Sequence, residues 1–302
     1  MQVALPTDSL QPSSRGPEAS RSLFQLAFHR FRRHKLAVIS LGVLGVILLL
    51  CLGAPLFSQY APEFIDLRAR GEAPSSTHWL GTDSLGRDIW SRLLYGGRVS
   101  LIVALVAVGI SLSIGVIFGL ASGYYGGRAD LVMQRILEIM SALPVFFVIL
   151  SFVAVFGANI YNTMIIIGLL SWEGLARLVR GQTLQVRAQD FVLAARSIGA
   201  PGRGIMLNHI LPNVLPYVIV WVTFAFTGVI LTETALSYLG LGVQIPMPSW
   251  GNLVGAAGNL REIQFRPWTW LPAGLMITLT VLSLNFIGDA LRDALDPHAL
   301  ID

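Results

Sequence analysis

The sequence predicts an all-α membrane protein with six transmembrane helices, and three observations support this prediction. Hydrophobic residues make up 54% of the 302 residues and charged residues only 13%, and the mean hydropathy is +0.67. A soluble domain carries about 25% charged residues. Long stretches without any charge recur along the chain, and a helix needs about 20 apolar residues to cross the hydrocarbon of a bilayer.

The first predicted span follows a polar N-terminal segment. Residues 1–35 are rich in serine, proline and arginine and end in a basic cluster between Arg30 and Lys35. The next 22 residues, 36–57, carry no charge, whereas a secretory signal has a shorter apolar core and a small-residue cleavage site. We therefore predict a cytoplasmic tail at 1–35 and an uncleaved helix at 36–57, in which the single cysteine, Cys51, has a packing role.

Four later stretches supply the other five spans. The stretch from Ile139 to Trp172 is uncharged over 34 residues, which is too long for one crossing, and residues 157–159 (Gly-Ala-Asn) offer a turn in its middle. This stretch therefore holds the ends of two spans. The six predicted transmembrane helices are 36–57, 99–122, 133–156, 160–178, 207–232 and 268–288.

The positions of lysine and arginine predict the orientation of these helices. The cluster from Arg30 to Lys35 lies directly against the first span, which favours a cytoplasmic N-terminus. Five arginines in the segment 58–98 oppose this orientation, but the N-terminal cluster is nearest to the span that inserts first. We therefore predict both termini in the cytoplasm, an extracytoplasmic loop at 58–98, a core transmembrane domain at 99–291 and a cytoplasmic C-terminal tail at 292–302.

The most informative segment lies between the fourth and fifth spans and reads DFVLAARSIGAPGRGIMLNHILPN, residues 190–213. Asp190 can cap a helix of about two turns over 191–198. Gly199 suits a left-handed residue at the end of that helix, and Pro201 prevents its continuation. The segment therefore predicts a short cytoplasmic helix.

A second helix is predicted to start near Gly204 and to enter the membrane, with a bend at Pro212 and Pro216. The short helix before it is apolar on most sides and too short to be stable alone in water. It therefore needs a surface to pack on. That surface is either the membrane and the protein's own helix bundle, or a groove of a separate cytoplasmic protein.

This segment resembles the cytoplasmic coupling-helix motif of membrane subunits in binding-protein-dependent ABC importers. Ala194, Ala195, Gly199 and the HILPN run at 209–213 match that motif, while Leu193 stands where the family usually has glutamate. Three further stretches resemble the C-type subunit of dipeptide and oligopeptide importers: HWLGTDSLGRDIWSRLLYGGRVSL (78–101), TETALSYLGLGVQIPMPSWG (232–251) and NFIGDALRDALDP (285–297).

The resemblance implies the type I ABC importer permease fold and a permease subunit that moves dipeptides or oligopeptides into the cytoplasm by alternating access. It also implies a homologous second permease subunit, one or two cytoplasmic P-loop ATPase subunits and an extracytoplasmic peptide-binding protein. Nickel or glutathione as the solute, or a self-contained secondary transporter, are the alternatives. The residues implied to contact the ATPase are Asp190, Phe191, Val192, Leu193, Ala194, Ala195, Arg196, Ser197, Ile198, Gly199, Ala200 and Pro201.

No segment of the chain is expected to bind nucleotide or to catalyse a reaction. Lys35 is the only lysine and is flanked by His34 and Leu36, whereas a P-loop needs Gly-Lys-Ser/Thr. ATP and magnesium are therefore expected on partner ATPases. The five histidines lack the spacing of metal ligands, so we expect no metal site, and the basic residues do not form the pattern of a nucleic-acid interface.

Three glutamates near the ends of spans are candidates for function, because an ionisable residue in a span is expensive. Glu138 and Glu173 each have an arginine three or four residues away and are interpreted as local helix pairs. Glu233 has no such neighbour. Glu233 is therefore the candidate for a side chain that faces the transport pathway.

Two extracytoplasmic segments are candidates for contact with the binding protein. In GTDSLGRD, Thr82 or Asp83 can cap a helix that starts near Ser84, which predicts an interfacial helix ahead of the second span. The loop 242–252 is interpreted either as a stiff connector, with its tryptophan anchored at the membrane interface, or as a contact for the delivering partner. The candidate contact residues in that loop are Gln244, Pro246, Pro248 and Trp250.

Overall fold

The computed structural model describes residues 29–295, and over this range the chain is helical without any β-strand, which confirms the predicted fold class. Five of the described helices are long and apolar enough to cross a membrane, or six if one sharply bent pair counts as a single span. The predicted tail at 1–35 and the C-terminal motif extend beyond the described residues.

Helix α1 covers Lys35–Leu52. His34 caps it, because the His34 Nδ1 accepts a hydrogen bond from the Ala37 amide at 3.2 Å. The helix ends at Gly53, and a separate turn, α2, covers Ala54–Phe57. The predicted span 36–57 is therefore interrupted near its end, where a proline at the start of α2 favours a new helix.

Helix α3 covers Ile89–Tyr125. Its cap is Asp88, whose carboxylate accepts a hydrogen bond from the Ser91 amide at 2.8 Å. The predicted helix start near Ser84 and the separate interfacial helix are wrong, since α3 runs without a break from Ile89. The physical reason is Gly86, which has a φ of +88° and closes a turn instead of continuing a helix.

The third span is broken in the middle. Helices α4 (Gly127–Ala142) and α5 (Val145–Phe156) meet at an angle of 82°. Pro144 lies between them, has no amide hydrogen to donate and disfavours helical backbone at the residue before it. The span predicted at 133–156 is therefore present as two helices joined at a sharp bend and not as one helix.

The fourth span follows the predicted turn at 157–159. Gly157 has a φ of +83°, and the Asn159 side chain accepts a hydrogen bond from the Asn162 amide at 2.9 Å, which caps the next helix. Helices α6 (Ile160–Leu170) and α7 (Glu173–Arg187) form this span and are separated by two residues.

The short helix predicted after the fourth span is present as α8, Asp190–Ser197. Its cap is Gln189 rather than Asp190, which lies in the first turn. Gly199 has a φ of +79°, as predicted for the residue that ends the helix.

The chain then continues through α9 (Gly202–Gly204), a π-helical turn over Ile205–Ile210 and the long helix α10 (Leu211–Tyr238). The wide turn directly precedes Pro212, which cannot donate a backbone hydrogen bond. The side chain of Asn213 donates to the His209 carbonyl at 2.7 Å.

Short elements follow α10 and lead to the last long helix. They are α11 (Trp250–Val254), a 3-10 turn over Gly255–Gly258, α12 (Leu260–Phe265) and a second 3-10 turn over Pro267–Thr269. Helix α13 covers Leu271–Leu295 and extends the predicted span 268–288 by two turns.

Helix α3 is at the centre of the bundle and packs against α7, α6, α10 and α1, while α13 packs against α10 and α1. One buried apolar cluster joins α1, α3, α5, α6, α10, α11 and α13 and includes Cys51, Ile230 and Trp250. Cys51 is completely buried, which confirms its packing role. A second buried cluster lies under α8 and includes Val179, Val192 and Ile205.

Candidate functional site

Helix α8 presents two different faces. Val192 and Ala195 are buried in the second apolar cluster. Phe191 and Leu193 on the flanks of the helix are exposed, and Ile198, directly after it, is 84% exposed. The exposed surface of the predicted contact segment therefore carries uncovered apolar side chains beside the polar residues Asp190, Arg196 and Ser197.

The end of α8 is fixed by its backbone. The Gly199 amide donates to the Arg196 carbonyl and the Ala200 amide to the Ala195 carbonyl, both at 3.1 Å. This pattern is a Schellman motif with a left-handed glycine. It turns the chain at once into α9, where Gly202 lies against the ring of Tyr124 at the end of α3.

A stripe of three glycines on α3 packs against α7. A Cβ placed on Gly115 would lie 2.9 Å from the Leu175 Cβ, and one placed on Gly123 would lie 2.6 Å from the Thr183 Cβ. Gly119 makes the corresponding contact between them. The paired residue numbers rise together, so the two helices run in the same direction, and glycines at every fourth position bring their backbones close together.

Polar contacts reinforce this packing beneath α8. The Arg187 guanidinium donates to the carbonyls of Tyr124 at 2.7 Å and Gly123 at 3.2 Å, which have no partner within the last turn of α3. Arg180 and Asp130 form a two-point ion pair at 2.6 and 2.7 Å. These contacts join the end of α3 and the first turn of α4 to α7.

Glu233 lies inside the chain and does not face a pathway. Its side chain is completely buried, and its carboxylate accepts hydrogen bonds from Ser100 at 3.0 Å and Ser237 at 2.7 Å. The two serine hydroxyls in turn accept from the amides of Trp250 and Val243 at 3.2 and 3.1 Å. The expected pathway-facing role is therefore corrected to a structural one that holds both ends of loop 239–249.

The four candidate contact residues in this loop differ in their exposure. Gln244 and Pro246 are exposed, whereas Pro248 and Trp250 are buried. The Trp250 indole donates to the Leu93 carbonyl at 3.0 Å and is enclosed by the first apolar cluster. Trp250 is therefore neither an anchor at the membrane interface nor a contact for a partner, and the prediction for this residue is wrong.

Loop 58–88 is folded onto the start of α3. The His78 Nδ1 lies 2.9 Å from a carboxylate oxygen of Asp88, and both side chains are buried. The Trp268 indole donates to the Thr82 carbonyl at 3.3 Å, which ties the loop to the turn before α13.

The two predicted helix pairs are present. Arg135 and Glu138 are 2.5 Å apart and both largely exposed, and Arg177 and Glu173 are 3.0 Å apart. The second pair also involves Ser141 at the end of α4, whose hydroxyl donates to Glu173 at 2.7 Å. Sequence reasoning did not connect Ser141 to this pair and did not identify the glycine stripe, although the spacing of 115, 119 and 123 was a visible signal for close helix packing.

Comparisons with known proteins give a consistent result. Residues 115–300 match the family described as the binding-protein-dependent transport system inner membrane component. Residues 22–74 match the N-terminal transmembrane domain of oligopeptide transport permease C.

Curated relatives resemble the chain over nearly its whole length. The oligopeptide transport system permease protein OppC of Haemophilus influenzae is 46% identical over 279 residues, which cover 92% of this chain and 89% of that protein. The OppC of Bacillus subtilis is 40% identical, with coverages of 92% and 90%. The dipeptide transport system permease protein DppC of Alkalihalophilus pseudofirmus is 39% identical, with coverages of 97% and 97%.

Proposed function

The chain belongs to the family of binding-protein-dependent transport system inner membrane components, and on this premise we propose that it is the permease subunit of an ATP-driven importer of peptides. It is a multi-pass membrane protein with the type I ABC importer permease fold. The relatives named above are permeases for oligopeptides or dipeptides. Peptides are therefore the solute class that we assign to this chain.

The observation that carries the proposal is the set of uncovered apolar side chains on and next to α8. Phe191 and Leu193 on the helix and Ile198 directly after it are exposed, whereas Val192 and Ala195 anchor the helix in the bundle. An amphipathic helix of this kind is suited to a hydrophobic groove of a partner protein. We assign that groove to a cytoplasmic ATPase subunit, which grips residues 190–201.

The packing beneath α8 provides a route for movement into the membrane. Helix α8 contacts α7 and the π-helical turn before α10, and α7 is joined to α3 by the glycine stripe and by Arg187. When ATP binding draws two ATPase subunits together, the displaced α8 moves these helices as near-rigid bodies. The pathway then alternates between outward and inward access.

Partner subunits supply the remaining functions of the transporter. We propose that ATP and magnesium bind to the ATPase subunits and that this chain performs no catalysis. The only lysine of the chain is not part of a P-loop motif. Six spans are too few to enclose a peptide, so a homologous second permease completes the pathway. An extracytoplasmic binding protein delivers the peptide, and the chain lies in the bacterial inner membrane with both termini cytoplasmic.

Reconstitution of the full complex in proteoliposomes tests this function. We expect labelled peptide to be taken up with ATP inside and binding protein outside, even when the proton gradient is collapsed. Uptake that stops with the gradient while ATP is retained would contradict the proposal and favour a secondary transporter.

A pair of matched variants tests the role of α8 in the same assay. Ile198→Asp places a charge in the proposed groove and should abolish uptake and ATPase stimulation while the chain still inserts. Leu260→Asp changes an apolar residue that is 74% exposed on α12 and should leave both activities intact. Equal activities in the two variants would show that α8 is not the contact.

A further inference from the structure

Three polar side chains form a cluster at the surface of the single chain where two helices are broken. The Ser141 hydroxyl and the Arg177 guanidinium both donate to the Glu173 carboxylate, at 2.7 and 3.0 Å, and Arg177 also donates to Ser141. Arg177 is 48% exposed and Glu173 27% exposed. The cluster therefore presents a negative and a positive group side by side.

The packing register places this cluster near the middle of the bilayer. Because Gly115 faces Leu175 and the helices are parallel, Glu173 lies at the level of residue 113 on α3, the centre of the uncharged stretch 99–127. On the other side, the nearest atom to a Cβ placed on Gly174 is the Trp221 Nε1 at 3.7 Å. Trp221 lies in the middle of the apolar part of α10.

The backbone at this level is interrupted in two helices. The break between α4 and α5 at 143–144 follows Ser141, and the break between α6 and α7 at 171–172 precedes Glu173. Residues 141–147 are all exposed in the single chain. Non-helical backbone at membrane depth is tolerated only where it is buried in protein or lines a water-filled cavity.

A lipid environment does not fit these observations. An arginine and a glutamate at mid-depth are costly in hydrocarbon, and such residues face the bundle interior or a water-filled passage. The non-helical backbone at 143–144 carries a similar cost. Both groups are stabilised if the surface is wet.

We propose that Ser141, Glu173 and Arg177, with the small residue Gly174 and the ring of Trp221, line the transport passage at mid-membrane and contact the polar backbone of the passing solute. A peptide carries amide groups and an ammonium and a carboxylate at its ends, and these complement Arg177 and Glu173. The assignment of peptide as the solute rests on the proposed function, whereas the assignment of the surface to a wet passage rests on depth, exposure and broken backbone.

Thiol labelling tests whether the surface is wet. In a Cys51→Ala background, Gly174→Cys has room for its side chain, and Ser141→Cys provides a second position. Val46→Cys is the control, because it is 56% exposed on α1 and lies near the middle of that span. In the reconstituted complex, both passage positions should react with a hydrophilic maleimide at least about tenfold faster than Val46→Cys, because a thiol in apolar surroundings forms little reactive thiolate.

Two outcomes would overturn the proposal. Labelling at the control rate would show that the patch faces lipid, and protection at both passage positions in every nucleotide state would show that a partner subunit covers it. Each cysteine variant is also assayed for ATP-driven uptake, so a variant that pumps peptide without labelling contradicts this inference and leaves the proposed function standing.

Charge variants test contact with the solute. Glu173→Gln and Arg177→Gln should each reduce peptide uptake about tenfold or more, as expected for loss of a charge-assisted contact, while the ATPase rate stimulated by binding protein is retained. The swapped double variant Glu173→Arg with Arg177→Glu keeps the ion pair and therefore distinguishes a structural role of the pair from contact with the solute. If the swap restores full uptake, the pair is structural and the solute contact is refuted.

Discussion

Gly119 of α3 packs so closely against Val179 of α7 that a Cβ placed on the glycine would lie 2.6 Å from the valine Cβ. The same Cβ would lie 2.7 Å from the carbonyl oxygen of Ala176. The contact therefore involves backbone as well as a stiff, branched side chain, and neither can yield easily.

Gly119→Ala is expected to force α3 and α7 apart. Overpacking of this kind costs about 1–3 kcal/mol, although alanine is by itself the better helix former by about 1 kcal/mol. Thermal unfolding of the purified complex should show a lower midpoint. Gly109→Ala on the same helix, where nothing lies within 4 Å, is the control and should unfold at or above the wild-type midpoint.

Asp130→Asn is expected to weaken the connection between α4 and α7. Arg180 would lose a two-point, charge-assisted pair, which we expect to cost about 1–3 kcal/mol. Glu138→Gln removes the carboxylate of a pair whose side chains are 71% and 61% exposed, and such pairs contribute about 0–1 kcal/mol. Equal loss of stability in the two variants, measured by thermal unfolding, would contradict this account.

Glu233→Ala is expected to loosen loop 239–249. Ser100 and Ser237 would lose their acceptor in a buried site, and the cost should be about 2–4 kcal/mol. Limited proteolysis should then cleave the loop faster than in the wild type. Glu233→Gln keeps the volume and one acceptor oxygen, so its loop should be cleaved more slowly than that of Glu233→Ala. Equal cleavage of the two variants would argue against a hydrogen-bonding role.

Gly199→Ala is expected to disturb the end of α8. No atom lies within 4 Å of its Cβ position, so the only penalty is the left-handed backbone, which costs about 1–2 kcal/mol for a residue with a side chain. Fraying of α8 should reduce ATP-driven uptake at an unchanged level of inserted protein. Gly181→Ala on α7 has equal space without the unusual backbone, and a similar loss there would contradict the explanation.

The long elements were predictable because the bilayer imposes them. A span must be apolar for about 20 residues, so the uncharged stretches locate α1, α3, α10 and α13, although α3 starts ten residues before its predicted start. The turn at 157–159 was also predictable, since Gly157 adopts the left-handed backbone that glycine tolerates.

The helix starts and breaks were less predictable because several signals compete. Pro144 lies in a long apolar run, where a proline can kink a helix or end it, and the sequence does not decide between them. Thr82, Asp83 and Asp88 can all cap a helix. The choice of Asp88 depends on Gly86 and its contact with the distant Asp66 carbonyl.

The buried sites could not be predicted because their partners are distant in sequence. Ser100 is 133 residues from Glu233, and Leu93 is 157 residues from Trp250. Local reasoning therefore assigned Glu233 to a pathway and Trp250 to a surface, and both assignments failed. Glu173 was interpreted as a local pair for the same reason, since its contact with Ser141 spans 32 residues.

Helix α3 has 37 residues without interruption, about 55 Å at 1.5 Å per residue. At one end, Asp88 contacts His78 of loop 58–88. At the other end, Tyr124 accepts a hydrogen bond from Arg187, which lies shortly before α8. A rod that pivots inside a membrane swings its two tips in opposite directions. Under the proposed function, each movement of α8 driven by the ATPase subunits would therefore be accompanied by an opposite movement at the other end of α3, where it would act on a docked binding protein.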